Sequence, residues 1–238
     1  SFLIVFSVSV ITFSQVYKKD GLFYKNIPVT KDSLLLLQKQ SEPTSTNEEP
    51  KELPVIKQDF MVNEIAGVGG SDQSALSIAK SGTGGYCAAW IDTRNGGKQI
   101  YAQFYSADGT KIGDNKPISA PNLNWNNSPF VAANDNGDFI ITFAETYYNI
   151  SIYRFNSSGE QFGSQINISS SSFSDLGYPS VILNNDRSFI IFYTGNSGSP
   201  GNDLIARRFN TSGLQTGNEI VINDPDKNVS SFGLTQNV

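Results

Sequence analysis

The sequence predicts an all-β chain built from repeated four-stranded antiparallel blades, and three observations carry that prediction. Nearly the same twenty residues occur three times: "IYAQFYSADGTKIGDNKPIS" from Ile100, "ISIYRFNSSGEQFGSQINIS" from Ile150 and "LIARRFNTSGLQTGNEIVIN" from Leu204. The copies keep a strict frame. Gly109, Gly159 and Gly213 align, with Gly113, Gly163 and Gly217 four residues on, Tyr105, Phe155 and Phe209 before them, and Ile118, Ile168 and Ile222 after. The third observation is compositional. Charged residues make up only 16% of the 238, well under the usual quarter, and Ser, Asn, Thr and Gly stand in their place. Such a composition suits many short strands joined by tight turns.

The chain opens on "SFLIVFSVSVITFS", residues 1–14, apolar and without charge. A membrane span needs about 20 such residues, so this stretch reads as a truncated signal-peptide core, with Thr12 and Ser14 as the small residues before cleavage. Uncleaved, it is the one place where the chain would touch a membrane. Residues 15–57 read as a linker or extended segment: "SEPTSTNEEPKELP" is rich in Pro, Glu, Ser and Thr.

From residue 58 to 238 the repeat governs. Upstream of each twenty-residue copy stand "GGYCAAW", "GDFIITF" and "RSFIIFY", and upstream of those "SALSIAKSGT", "SPFVAANDN" and "YPSVILNND". Each unit thus holds four short β-rich runs bounded by Asn, Asp and Gly; in the second unit these are 129–133, 138–143, 150–155 and 161–168. "NDNGD" at Asn134–Asp138 signals a tight hairpin, and "SADGT", "NSSGE" and "NTSGL" suit a type I turn closed by a left-handed glycine. The blades span roughly 71–119, 126–169 and 176–223, with "DFMVNEI" from Asp59 and "SSFGLTQNV" from Ser230 as partial blades at the two ends. A meander of about 50 residues, repeated, is the mark of a β-propeller-type blade, which cannot bury its own faces alone. The second run of each unit is almost wholly apolar and belongs inside. The third mixes classes and reads as partly exposed. Three blades fall short of the four to eight at which propellers close. The chain is therefore expected to be part of a longer protein or to pair its open sheet edges with another chain, as a homo- or hetero-oligomer.

Several kinds of chemistry are excluded at this level. A net charge of −5 leaves no basic face for nucleic acid. The absence of histidine removes the commonest general base and metal ligand. Cys87 is the single cysteine, set in the apolar "GGYCAAW", and reads as a small core residue. No catalytic residue, metal site or cofactor is expected. Asn134, Asn136 and Asp138 could form part of a calcium loop, but the other units lack the matching acids, and a plain hairpin is the reading kept.

The pattern "IYARRFNxSGxxxGxExxVN" after a "PSVxxLxxGxFVVxW" run, matched here by "LIARRFNTSGLQTGNEIVIN" and "YPSVILNNDRSFIIFY", resembles a repeat of very large secreted and surface proteins of bacteria and of ciliate-type protists. The resemblance covers roughly residues 58–238. It implies a propeller-like fold and an adhesion or matrix role, with no shared catalytic residues.

The functional expectation is a secreted or cell-surface repeat protein, not an enzyme, serving binding, adhesion or extracellular assembly. Its partner would be a protein or a carbohydrate. The candidate ligand-binding residues lie in and beside the long loops between second and third strands: Trp90, Asp92, Arg94 and Asn95 in the first unit, Asn202 and Asp203 in the third. Trp90, Trp125, Tyr147 and Tyr148 are aromatics on which a sugar could stack. Sequons at Asn149, Asn156, Asn167, Asn210 and Asn228 are candidate glycosylation sites of an extracellular glycoprotein. The alternative is a glycan-active propeller enzyme of sialidase type, which would need arginines converging on a substrate carboxylate.

Overall fold

The structure is a computed structural model that describes residues 17–19, 22–24, 71–123, 128–198, 201–224, 227–229 and 232–234. The chain divides into two units, Ser1–Gln58 and Asp59–Val238. In the first unit β1 (Tyr17–Lys19) pairs antiparallel with β2 (Leu22–Tyr24), placing Tyr17 opposite Tyr24. The segment read as a linker thus contains a short hairpin. The apolar run 1–14, the Pro- and Glu-rich stretch, the strand read from Asp59 and Trp125 lie outside the described residues.

The second unit holds three four-stranded antiparallel sheets and, among the described residues, no helix. Blade 1 is β3 (Gln73–Lys80), β4 (Tyr86–Asp92), β5 (Gln99–Tyr105) and β6 (Lys111–Pro117). Blade 2 is β7 (Phe130–Ala133), β8 (Phe139–Thr146), β9 (Asn149–Phe155) and β10 (Ile166–Ser169). Blade 3 is β11 (Ser174–Leu183), β12 (Phe189–Asn196), β13 (Asn202–Phe209) and β14 (Gln215–Val221). Every sheet is a meander in chain order, the propeller-like all-β fold that the repeat predicts. β3 lies beside β7 and β7 beside β11, so the first strands form the inner side of the stack.

The repeated glycines do local work that explains the frame. In each copy the third strand ends in the same turn: Gly109 N–H donates to Ser106 O, Gly159 to Asn156 O and Gly213 to Asn210 O, each at 2.9 Å. Gly159 has a φ of 72°, and a Cβ there would lie 2.8 Å from the Phe104 ring of the preceding blade. The position needs glycine both for its backbone and for the close approach. The second glycine of the first and third copies falls where the last strand slips register, at the bulge that bends it.

The core lies between the blades. Side chains alternate across each strand, so one face of blade 2 meets blade 1 and the other meets blade 3. Cys87, Ala89, Ile91, Ile100 and Phe104 of blade 1 pack with Val131, Phe139, Ile141, Phe143 and Phe155 of blade 2. Ile140, Ile150, Ile152 and Ile168 on the far face of blade 2 pack with Val181, Phe189, Ile191, Ile205 and Phe209 of blade 3. Phe104 meets Phe155 and Phe139 at ring-centroid distances of 5.1 and 5.8 Å. The third strands are more buried than their mixed sequence suggests. All of β5 and most of β9 are inaccessible, because the fourth strand and the neighbouring blade cover them. Exposure instead falls on the first strand of blade 1 and the last strands of blades 1 and 3.

Hydrogen bonds stitch the seams. Lys116 Nζ donates to Gly159 O at 2.6 Å across the first seam. Across the second, the Asn134–Asp138 hairpin meets the equivalent turn of blade 3: Asp135 N donates to Asn185 Oδ1 at 2.9 Å and Asn136 Nδ2 to Asn185 O at 2.7 Å.

Candidate functional site

The residues singled out around β4 form one tight network. The Asp92 carboxylate is fully buried and accepts from Trp90 Nε1 at 2.9 Å, from Arg94 N at 2.8 Å and from Arg94 Nη2 at 2.6 Å. Arg94 also donates to Asn115 Oδ1 and lies over the Tyr101 ring at 4.2 Å. Asn95 Nδ2 donates to Gln99 Oε1 and to the Tyr101 hydroxyl. Burial alone would raise the Asp92 pKa, but the bonds from Arg94 and Trp90 outweigh it and hold the carboxyl below its usual range. Trp90 is 3% exposed and offers no stacking face. The loop is thus tied down to its own blade rather than opened to a ligand.

Asn202 and Asp203 sit in blade 3 and are likewise engaged locally. Asn202 N donates to Asn228 Oδ1 at 2.8 Å, and Asp203 Oδ1 accepts from Asn223 Nδ2 at 3.1 Å. These bonds tie the first loop to blade 1, and Asn202 and Asp203 to the segment that follows blade 3. The "NDNGD" stretch is a hairpin: Asn134 Oδ1 caps the backbone N–H groups of Asn136 and Asp138, and Asp138 binds Arg187. No group of three or more acids or thiols suited to a metal occurs among the described residues.

The sequons divide by use. Asn156 Oδ1 accepts from Ser158 N and Glu160 N, and Asn210 Oδ1 makes the same pair of bonds to Ser212 N and Leu214 N. Asn167 Oδ1 accepts from Ser151 Oγ and Gln165 Nε2, while Asn149 stands half-buried at the start of β9. The Asn156 and Asn210 side chains thus build the same turn in blades 2 and 3, a role that accounts for their recurrence without a glycan.

Among the arginines, Arg154 and Arg187 come together over the Phe162 ring, 5.3 and 4.7 Å from its centre. Arg94 pairs with Asp92, Arg187 with Asp138 and Arg207 with Glu219. Arg154 is buried in the second seam. No third arginine joins Arg154 and Arg187, so a cluster of sialidase type is absent among the described residues. Cys87 is fully buried, and burial pushes its thiol far above the ordinary range, so it is no nucleophile.

What the structure does bring together lies around the serine-rich stretch 169–174, which joins blade 2 to blade 3. One cleft, of about 350 Å³, is lined by Tyr148, Ser170–Ser174 and Asn196–Gly198. A second, of about 370 Å³, shares Ser170 and Ser171 and adds Arg207, Gln215, Asn218 and Glu219. Tyr148 stands 61% exposed on the β8–β9 turn. Arg207 Nη2 donates to Glu219 Oε2 at 2.6 Å and to Ser169 O at 3.0 Å, which pins the stretch against β13. Arg207 also lies over Tyr193, 5.8 Å from the ring centre. The Tyr193 hydroxyl is buried beside the Arg207–Glu219 pair, and burial pushes its pKa to about 12. The sequence marks Tyr148 and the long loop of the third unit that leads to Asn202 and Asp203, but not the serines, Arg207 or Glu219. These meet only because successive blades stack.

No protein-family model matches the chain, and no curated protein matches it. Among solved structures it is similar to an α-L-arabinofuranosidase of Clostridium thermocellum, at 16% identity over 64% of this chain and 53% of that one, with a TM-score of 0.38. An α-L-arabinofuranosidase of Lactobacillus brevis matches at 14% identity over 60% of this chain and 55% of that one, TM-score 0.40. An endo-1,4-β-xylanase of Bacteroides thetaiotaomicron matches at 12% identity over 92% of this chain and 76% of that one, TM-score 0.43. The chain spans about half the length of the two arabinofuranosidases. All three are enzymes that act on glycans. The expectation of a non-catalytic adhesion or assembly protein, and not an enzyme, is corrected on this finding and set aside. At these scores the likeness concerns strand architecture and assigns no catalytic residue to this chain.

Proposed function

We propose that the chain belongs to a glycan-active protein and supplies it with a saccharide-binding surface, the paired clefts around Ser169–Ser174. The observation that carries the reading is the make-up of those clefts. A sugar ring presents apolar C–H faces and a girdle of hydroxyls, and is held by an exposed aromatic beside fixed hydrogen-bonding groups. Tyr148 supplies the aromatic, and Ser170–Ser172, Ser174 and Asn196 supply hydroxyls and an amide. The Arg207–Glu219 pair and the amides of Gln215 and Asn218 continue the polar surface. Glu219 is the single carboxylate among the described lining residues. Hydrolysis by paired acids needs a second, about 5–10 Å away, which in this reading another part of the protein supplies.

Affinity electrophoresis through gels cast with neutral and acidic polysaccharides tests the binding. The chain is retarded by at least one of them, and Tyr148→Ala abolishes the retardation without altering the circular dichroism spectrum. Migration unchanged in every gel overturns the reading.

A further inference from the structure

One corner is built twice, once in each seam, with different chemistry. In the first seam Phe104 packs on Gly159 of the next blade, Ile112 lies opposite Phe104 on β6, and the hairpin of blade 2 turns on Gly137. In the second seam those three places belong to Arg154, which packs on Gly213, to Phe162 and to Arg187. Both guanidiniums lean on the one ring, at 5.3 and 4.7 Å from its centre. An apolar corner is thus replaced by two cations.

A single acid meets them. Asp138 gives both carboxylate oxygens to Arg187. Arg154 is 5% exposed and pairs with no carboxylate among the described residues. Its Nη1 donates to Thr211 O over a long 3.4 Å, and its Nε is sealed from water with no partner. Burial and the charge of Arg187 both push its pKa down, and no acid on the chain pulls it back. A buried charge without a counter-charge is costly, which marks the corner as one that an anion completes. Gly163 and Gly213 make room for the guanidinium, since a Cβ at either would run into it. The Arg187 side chain is 49% exposed, so the corner opens to solvent on that side.

We infer that Arg154 and Arg187 form a site for a singly charged oxyanion, the carboxylate or sulfate ester of a small ligand. Two guanidiniums against the one carboxylate of Asp138 leave one positive charge, which one negative charge balances. Nε and Nη2 of Arg154 share the edge that Thr211 leaves unused, and such an edge donates side by side to two oxygens of one group. Arg187, tied to Asp138 at the open side, supplies the second positive charge. The first seam has no such site, because Phe104 and Gly137 stand where the two cations would be.

The test is the melting temperature of the full chain at neutral pH, followed by circular dichroism, with sodium acetate or sodium methyl sulfate titrated against sodium chloride at equal ionic strength. A saturable rise beyond chloride is expected at millimolar probe. A rise with acetate assigns a carboxylate ligand, and one with methyl sulfate a sulfate ester. Arg154→Met keeps the length of the side chain and abolishes the rise. Arg187→Gln changes a half-exposed side chain, raises the half-saturating concentration about tenfold, and decides the matter should Arg154→Met not fold. No rise beyond chloride with either probe overturns the inference, and so does a rise that a folded variant retains in full.

Discussion

Arg187 grips Asp138 across the seam between blades 2 and 3, Nε on one carboxylate oxygen at 2.8 Å and Nη2 on the other at 3.0 Å. The arrangement is asymmetric. The Asp138 side chain is 4% exposed and that of Arg187 49%. Arg187 also holds a φ of 72°, at the turn position where blade 2 uses Gly137.

That asymmetry sets an order of stabilities. Arg187→Ala keeps the left-handed backbone and leaves a buried carboxylate without its cation. Arg187→Gly loses the same ion pair but removes a backbone cost of about 1–2 kcal/mol. Urea unfolding is expected to rank wild type above Arg187→Gly and Arg187→Gly above Arg187→Ala. The reverse order of the two variants would show that the turn is not strained.

Phe104 fills the first seam against Phe139, Phe155 and the backbone of Gly159. Phe104→Ala opens a cavity between two blades and is expected to cost about 3–5 kcal/mol in urea unfolding. Gly159→Ala destabilises too, since its methyl group enters the Phe104 ring.

Much of this was legible in the sequence, and the reasons are local. The turn glycines, the Asn-Gly hairpin and the apolar second strands each report backbone conformation or sheet position at the place where they stand. The inter-blade contacts are not local. "NNDRS" gives no hint that its arginine reaches Asp138 some fifty residues earlier. Trp90 and Asp92 read as loop-edge recognition residues because their burial depends on Arg94 and Tyr101 folding over them. The clefts were half visible, through Tyr148 and the Gly- and Asn-rich loop. Arg207 gave no such sign, as its partner Glu219 lies on the following strand and Ser169 on another blade.

Asp92 makes stability depend on acid. Its carboxyl titrates lower in the folded chain than in the unfolded one, so its contribution is complete above the unfolded value of about 4. That contribution is lost as pH falls through the lower folded value. Asp92→Asn is expected to flatten the acid limb of a plot of melting temperature against pH, and an unchanged limb would remove Asp92 from the account.

Cys87 is expected to resist a thiol reagent such as Ellman's in the folded chain and to react once in guanidinium. Stoichiometric labelling of the native protein would contradict its place in the core between blades 1 and 2.

The most direct test of the proposed function is saccharide binding at the paired clefts, followed by isothermal titration with oligosaccharides from whichever polysaccharide retards the chain. The expected result is saturable binding that Tyr148→Ala and Asn196→Ala each weaken at least tenfold, while Asn95→Ala on blade 1 leaves it unchanged. Binding that survives both cleft substitutions, or no binding to any saccharide, would contradict the account.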